Sequence, residues 1–387
     1  MKISNCRVCS GAFYKTPLLR YENMPSSAQG FLESTELTND TGADLEVCQC
    51  SVCGLVQLNN EPVSYYKEVI RATAISQEMT QFRLRHFSDF IDSYNLQGKK
   101  VLEVGCGKGE FLNLMKKCGV EAHGLEYGQG SVDRCLESGL LVEKGYIDSS
   151  NYLVPGAPYD AFFIMNFFEH VPEPNELLQG IGNNLSEGAV GIIEVPNFDM
   201  ILKNNLFSEF ISDHLFYFTK DTLISTLQRN GFEILGCEVI WNDYIISVVV
   251  KKRERLELAH FYDYQSRIEE QIITYIKRYK PGRVAIYGAG HQSLAIISLT
   301  NIGNKIKYII DDAPFKQNKY TPATHVPIVS IDELEKDPVD AIIIMAASYS
   351  NEVSKKVVKR FKYDIDLAIL RDYGLEYVCE KYWVFEN

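Results

Sequence analysis

At 387 residues the chain is too long for one ordinary domain, and two or three are expected. Its 46% hydrophobic and 23% charged residues suit a globular protein, and a net charge of −12 with no long basic run argues against nucleic acid as a partner. The opening "MKISNCRVCS" has no apolar signal core, and the longest apolar runs, such as "DAFFIMNFF", are too short to span a bilayer. A cytoplasmic protein with free thiols and no membrane partner is expected.

Five of the ten cysteines fall within the first 53 residues. Cys6-Arg-Val-Cys9 and Cys50-Ser-Val-Cys53 are two C-x-x-C knuckles. Zinc prefers four thiolates in a tetrahedron, and two knuckles supply them from two chain segments. Residues 10–49 lie between them, a longer insert than the roughly 15–20 residues usual in zinc ribbons. The insert is therefore expected to be a small subdomain tied at its base. Cys48 is a fifth cysteine, but Cys50 gives the cleaner C-x-x-C. Four sulfurs leave no open position for water, so the expected metal is a structural zinc at Cys6, Cys9, Cys50 and Cys53. This module is expected over 1–60, with a helical lead-in over 61–97.

A core over 98–252 follows. In "KKVLEVGCGKGEFLNLMKKCG", Val101 to Val104 reads as a buried strand, Gly105, Gly107 and Gly109 as a tight turn, and Phe111, Leu112, Leu114 and Met115 as one helical face. Glycines let the backbone approach a ligand, and the helix N-terminus favours negative groups. A bare G-x-G-x-G is weak evidence for any one cofactor. Here Glu103 lies inside the strand, and Glu126 ends the next one, "EAHGLE", where a carboxylate can grip ribose hydroxyls. The combination resembles motif I of class I S-adenosylmethionine-dependent methyltransferases. The α/β rhythm continues through "YDAFFIMN", a strand ending at Asn166, a helix from the prolines of "HVPEPNELLQGIGNNL" to Gly188, the strand "GAVGIIEVPN", the helix "TKDTLISTLQRNG" and a closing pair of strands. Ligands bind outside the carboxyl ends of such strands. Asn166, Glu169 and His170 lie at that edge, joined by Asp213 and His214 if "FISDHLFYFTKDTL" folds back over it.

Leu258, Phe261, Ile268, Ile272 and Ile276 recur at helical spacing, giving a connecting helix over 253–281. From 282 to 387, "RVAIYGAGHQSLAIISLT", "KIKYIIDD" and "VDAIIIMAA" repeat the strand, turn and helix pattern. Ser293 stands at the third glycine position, so a scaffold without a dinucleotide is expected. The polar loop "FKQNKYTPATHVPIVS" offers Lys319, Tyr320, Thr324 and His325 to a substrate's phosphates or base.

The whole resembles the sugar C-methyltransferases that act on nucleotide-linked ketosugars. These combine an N-terminal zinc-binding module, a class I methyltransferase core and a C-terminal Rossmann-like domain. The marks of the resemblance are "CRVC", "CSVCGLVQL", "LEVGCGKGEFL", "NFFEHVPEP", "EVPNF", "DHLFYFT" and "KYTPATHVPIV". The family's acid-histidine element begins with a tyrosine and carries a glutamate. Here those places hold Ile211 and Asp213, while His214 matches. His170 matches a second family histidine, and a lead-in tyrosine aligns with Tyr65 or Tyr66. The resemblance implies an α/β enzyme that uses S-adenosylmethionine and takes a nucleotide sugar. It implies His214 as base, Asp213 orienting it, and His170, Tyr217 or Tyr66 as donors to the enolate oxygen. Methylation of oxygen or nitrogen, or a non-catalytic scaffold, are the alternatives. The oligomeric state is open, a monomer included.

Overall fold

Two units divide the chain, Met1–Arg255 and Leu256–Asn387. The computed structural model describes residues 2–29, 31–38, 40–68, 75–362 and 364–378. Small parts of the expected segments lie outside the described residues: 1, 30 and 39 of the metal module, 69–74 of the lead-in, and 363 and 379–387 of the C-terminal domain.

The first unit opens with three antiparallel strands, β1 (Leu19–Met24), β2 (Ala43–Gln49) and β3 (Val56–Leu58). The helix α1 (Gln77–Ser93) follows. Ser76 caps it by accepting from the Met79 N–H at 3.0 Å, and Arg83, Phe87, Phe90 and Ile91 form its buried face. Alternating elements come next: β4 (Lys100–Val104), α2 (Glu110–Lys117), β5 (Glu121–Glu126), α3 (Gln129–Glu137), β6 (Leu141–Lys144), β7 (Tyr159–Met165), α4 (Pro174–Asn183) and β8 (Leu185–Pro196). After α5 (Phe198–Asn204) and the two-residue strand β9 (Phe216–Tyr217), α6 (Lys220–Arg229) leads into the hairpin of β10 (Phe232–Ile240) and β11 (Ile245–Lys252). The helix α4 stops at Asn183 instead of reaching Gly188. The Asn184 side chain donates to the Gly180 and Tyr152 carbonyls and accepts from Val154, and Leu185 already pairs with Tyr159.

The main sheet has the order β10-β11-β8-β7-β4-β5-β6, parallel except for β10 and β11. The chain steps outward from β4 to β6, then restarts at β7 on the other side. The order therefore reverses between β4 and β7, and a crevice opens at their carboxyl ends. Side chains alternate across the sheet. Val101, Phe163 and Ile192 share a core with Phe87, Phe90 and Phe111, while Leu102, Phe162 and Ile193 share another with Phe168, Leu177 and Phe218. Both faces are covered, as a parallel sheet requires. The fully buried Glu194 of β8 takes two guanidinium N–H groups of Arg83 at 2.6 and 2.5 Å, tying α1 to the sheet.

The N-terminal strands are built into this unit. From the loop of the core, β9 pairs with β3 through Val56↔Tyr217 and Gln57↔Phe216, completing a sheet of order β1-β2-β3-β9. Cys6, Val8, Cys50 and Leu55 belong to the same core as Phe168 and Leu177. The insert expected to be a subdomain tied at its base is also held along its length: β2 pairs with β3, and its Leu45 and Val47 share a core with Phe198 and Tyr217.

The second unit begins with α7 (Ala259–Ile276), which buries Ile268, Ile272, Tyr275 and Ile276 and leaves Phe261 exposed. It continues with β12 (Val284–Tyr287), α8 (His291–Leu299), β13 (Ile309–Ile310), β14 (Lys319–Tyr320), β15 (Pro327–Val329), α9 (Glu333–Lys336), β16 (Ala341–Ile344), α10 (Ser350–Phe361), β17 (Asp366–Arg371) and β18 (Gly374–Val378). Its sheet has the order β14-β15-β13-β12-β16-β17-β18, with antiparallel strands at the two edges. Among the described residues, no helix is long and apolar enough to cross a membrane.

Candidate active site

Where β4 ends, the chain turns through Gly105, Gly107 and Gly109 into α2. All three have left-handed φ values, of 71°, 54° and 80°, which side chains resist. A Cβ on Gly107 would enter open space, the approach a ligand needs, whereas Gly109 abuts Leu140 and Cys135. Glu126, at the end of β5, holds this turn in place. Its carboxylate accepts from the Gly107 N–H at 2.9 Å and from the Gly128 N–H at 2.8 Å. Burial raises its pKa, against the pull of these N–H groups.

A cavity of about 490 Å³ opens beside the turn. Glu103, Gly105, Gly107 and Asn166 line it from the ends of β4 and β7, Glu169 and His170 form another part of its wall, and Asp213 and His214 join from the loop before β9. Asn166 has a left-handed φ of 53°, which turns the chain sharply after β7. Glu126 opens instead on a small adjoining pocket with Lys67, Tyr127 and Tyr146, sharing Gly105 and Phe167 with the larger one. Glu103 thus lies in the larger space and Glu126 in the smaller, with Gly105 common to both.

The histidines meet edge to face, with ring centroids 4.7 Å apart. The His170 Nδ1 lies 2.7 Å from the Asp213 backbone carbonyl. A carbonyl only accepts, so Nδ1 carries a proton, and burial lowers the His170 pKa, which favours the neutral ring with Nε2 bare. Burial, and then repulsion from His170, lower the His214 pKa to about 3. This departs from the expectation of an imidazole titrating near operating pH: the ring is neutral, the form a base must have, but burial makes it a weak one. Asp213 orients His170 through its carbonyl, and its carboxylate is occupied elsewhere. It accepts from the Ala28 N–H at 2.9 Å and from the Tyr65 hydroxyl at 2.8 Å.

Two expected donors are not in this cavity. Tyr66 packs edge-on against Tyr146, 5.9 Å away, while its neighbour Tyr65 reaches Asp213. Adjacent residues of a short turn point apart, which separates the two readings of the lead-in. Tyr217 turns into the cluster of Phe198 and Phe210, and its hydroxyl accepts from the Ile211 N–H at 3.1 Å. Sequence reasoning gave no role to Glu169, and it missed Gln29, Trp241 and Tyr244 in the cavity wall. The aromatic turn "WNDY" was the available signal for the last two.

The four knuckle cysteines carry sulfurs that all lie within 4.8 Å of one another, with Cys6···Cys53 at 3.7 Å and Cys9···Cys50 at 3.4 Å. A tetrahedron with Zn–S bonds of about 2.3 Å needs sulfurs roughly 3.8 Å apart, so the set fits a tetrathiolate. The Gln57 amide donates to the Cys6 sulfur at 3.1 Å, and the Gly11 and Val52 N–H groups donate to Cys9 and Cys50, as charge on thiolates requires. Cys48 lies outside this cluster. In the second unit, Lys319 and Tyr320 form the exposed strand β14, and the Thr324 hydroxyl lies 2.7 Å from that of Thr321 in the turn that also holds the exposed His325.

Comparison with known proteins matches residues 75–236 to a methyltransferase domain family and residues 250–364 to a C-methyltransferase C-terminal domain family. The C-methyltransferase NovU of Streptomyces niveus is 23% identical over 393 residues, covering 91% of each chain. A ubiquinone biosynthesis O-methyltransferase of Chromobacterium violaceum is 32% identical over 107 residues, 26% of this chain and 46% of that protein. Among solved structures, an S-adenosylmethionine-dependent methyltransferase from Clostridium acetobutylicum is 15% identical with a TM-score of 0.39, covering 49% of this chain and 96% of that one.

Proposed function

We propose, for a chain that is an S-adenosylmethionine-dependent methyltransferase of the class I fold with a C-methyltransferase C-terminal domain, that it methylates the carbon beside a ketone in a nucleotide-linked sugar. His214 is the base in this reading, and a structural zinc sits in the cysteine knot. One observation carries it: a single cavity joins the glycine turn and Glu103 to two neutral imidazoles. The match at residues 250–364 supports carbon as the acceptor, and the three-part order of motifs supports the nucleotide sugar.

Glu103, the Gly105–Gly107 turn and Glu126 would hold the donor, which when bound supplies an electrophilic methyl group on a sulfonium. The rest falls to the chain. His214 is unprotonated and partly exposed within the cavity, so it can take a proton from carbon. The enolate formed beside it supplies the negative charge that a buried imidazolium otherwise lacks. Alignment of carbon and methyl is the cavity's main contribution. In the second unit, the exposed Lys319, Tyr320 and His325, with Thr324, are proposed to hold the nucleotide end.

The test is a set of nucleotide-linked ketosugars supplied with methyl-labelled donor in heavy water. The expected product carries its label on carbon and deuterium at the neighbouring position. His214→Asn should lower turnover by about 10²–10⁴-fold with donor affinity intact. Label on oxygen or nitrogen, without carbon exchange, refutes the reading, and full turnover in the variant removes His214 as the base.

A further inference from the structure

Glu169 has no role in the mechanism above, yet its placement demands one. It is 2% exposed, lines the cavity, and its Oε2 has no hydrogen-bond partner. Its Oε1 lies 3.8 Å from the bare Nε2 of His170. An ionised carboxylate there would face another acceptor with only its own backbone N–H to answer it, and a buried charge so weakly compensated is costly. A proton on the carboxyl removes the conflict and leaves an O–H inside the cavity.

We propose that Glu169 is a catalytic acid whose carboxyl O–H donates to the substrate oxygen on which negative charge gathers when the neighbouring carbon is deprotonated. The proposal rests on the carbon-methylation reading of this cavity. Other candidates are already engaged. The N–H of neutral His170 serves the Asp213 carbonyl, the Tyr217 O–H points to the Ile211 carbonyl at 3.5 Å, and the Tyr65 O–H donates to Asp213. Burial favours the acid form of Glu169, and the acidic groups that line the same cavity supply no cation to oppose it. Glu103 at the end of β4, Glu110 on α2 and Asp213 in the loop before β9 are carboxylates, while His214 is neutral. Tyr244 enters from the hairpin, and Lys108 is the one cation among the described lining residues, exposed at the glycine turn. Burial lifts the Glu169 pKa to about 8, so the acid predominates at neutral pH.

The electron balance is simple. The carbon–hydrogen bond breaks, its proton goes to an imidazole, and its electron pair moves through carbon to the carbonyl oxygen. Glu169 keeps its own proton and strengthens its hydrogen bond as that oxygen gains charge. The pair returns when the carbon is alkylated, and the ketone is restored. A carboxylic acid kept neutral by an apolar site suits this task because its donor is in place before charge develops.

The experiment compares wild-type protein with Glu169→Gln and Glu169→Ala. Infrared difference spectra of the ligand-free wild type against Glu169→Gln should show a protonated carboxyl that titrates at about pH 8. With ketosugar, carbon–deuterium exchange and turnover should fall above that pH in the wild type. Glu169→Gln keeps a neutral donor, so it should retain most of the exchange rate and lose the alkaline fall. Glu169→Ala should lose about 10²–10³-fold. An ionised Glu169 at neutral pH overturns the proposal whatever the substrate proves to be. Methylation on oxygen without carbon exchange overturns the catalytic role even with the carboxyl band intact, because no enolate then forms. Ligand atoms of Glu169, His170 and His214 all lie within 4.8 Å of one another, so a stoichiometric cobalt absorption that disappears in Glu169→Gln would assign them to a metal and overturn the acid role.

Discussion

Replacing Glu126 by alanine tests the placement of the donor. In the wild type its two oxygens accept from the Gly107 and Gly128 N–H groups at 2.9 and 2.8 Å, leaving further lone pairs for ribose hydroxyls. Hydrogen bonds to a charged acceptor contribute about 1.5–3 kcal/mol, so losing the ribose contact should weaken donor binding roughly 10- to 150-fold. Stability should fall as well. Alanine leaves two N–H groups without an acceptor, at about 1–3 kcal/mol each when buried. It also removes a carboxyl whose pKa burial has raised. A carboxyl with a raised folded pKa contributes stability below its unfolded pKa and loses it as pH rises through the folded value, so its removal offsets part of the cost at neutral pH. Glu126→Gln is a sharper control. Its amide nitrogen must face one of the two backbone N–H groups, so a near-isosteric change should also impair binding. Calorimetric titration with the donor or its demethylated product measures the affinity, and thermal melting measures the stability. Unchanged affinity in the alanine variant would show that the ribose lies elsewhere.

Elemental analysis should find one zinc per chain, and Cys6→Ser should release it. Structural zinc sites supply roughly 10–16 kcal/mol of apparent binding energy in small modules, so protease sensitivity should rise first in residues 10–60; protein purified without zinc would refute the site. Glu194→Ala leaves Arg83 buried without its carboxylate partner and should cost about 3–5 kcal/mol in urea unfolding, and a loss under about 1 kcal/mol would mean that Arg83 finds water or a new partner.

The glycine turn and Glu126 were legible because their signals are local. A strand, a run of glycines and a helix follow one another, and the acid ends the next strand. The α/β alternation was legible for the same reason: apolar runs such as "DAFFIMNFF" alternate with capped helices, whereas the order of the strands was not. Long-range pairings left no such signal. Nothing in "FYFT" shows that Phe216 and Tyr217 will pair with Gln57 and Val56, a contact that spans most of the unit. Nor does sequence show how deeply a charge is buried. Glu169 sits beside a histidine that drew attention, but its importance comes from a missing partner, which only packing reveals. Tyr65 and Tyr66 differ by one position, and a one-residue uncertainty in a short turn exchanges the residue at Asp213 for one at Tyr146.

The link between β3 and β9 explains why a cysteine knot belongs in this enzyme. A two-residue strand cannot hold its shape alone, and β9 carries the acid-histidine loop at its start. Its partner is anchored twice. Gln57 of β3 donates to the Cys6 sulfur and accepts from the Arg7 N–H, so the strand is bonded directly to the first knuckle. The Leu58 N–H then donates to the Leu215 carbonyl at 2.9 Å, and the Leu215 N–H donates to the Glu169 carbonyl at 2.9 Å. His214 and Glu169 are therefore fixed through neighbouring backbone groups on one continuous path from the cysteine knot. The Ser212 hydroxyl reaches the Pro25 carbonyl, and Asp213 reaches Ala28, so the insert between the knuckles grips the same loop from its other side. The donor turn needs none of this, because β4, β5 and Glu126 hold it. A loosened knot should consequently disturb the wall that carries the histidines while leaving the glycine turn in place. On the proposed reading, the knot's distance from the cavity is no obstacle to its importance: a base and an acid that must meet one substrate carbon and its oxygen would need rigid support more than the glycine turn does.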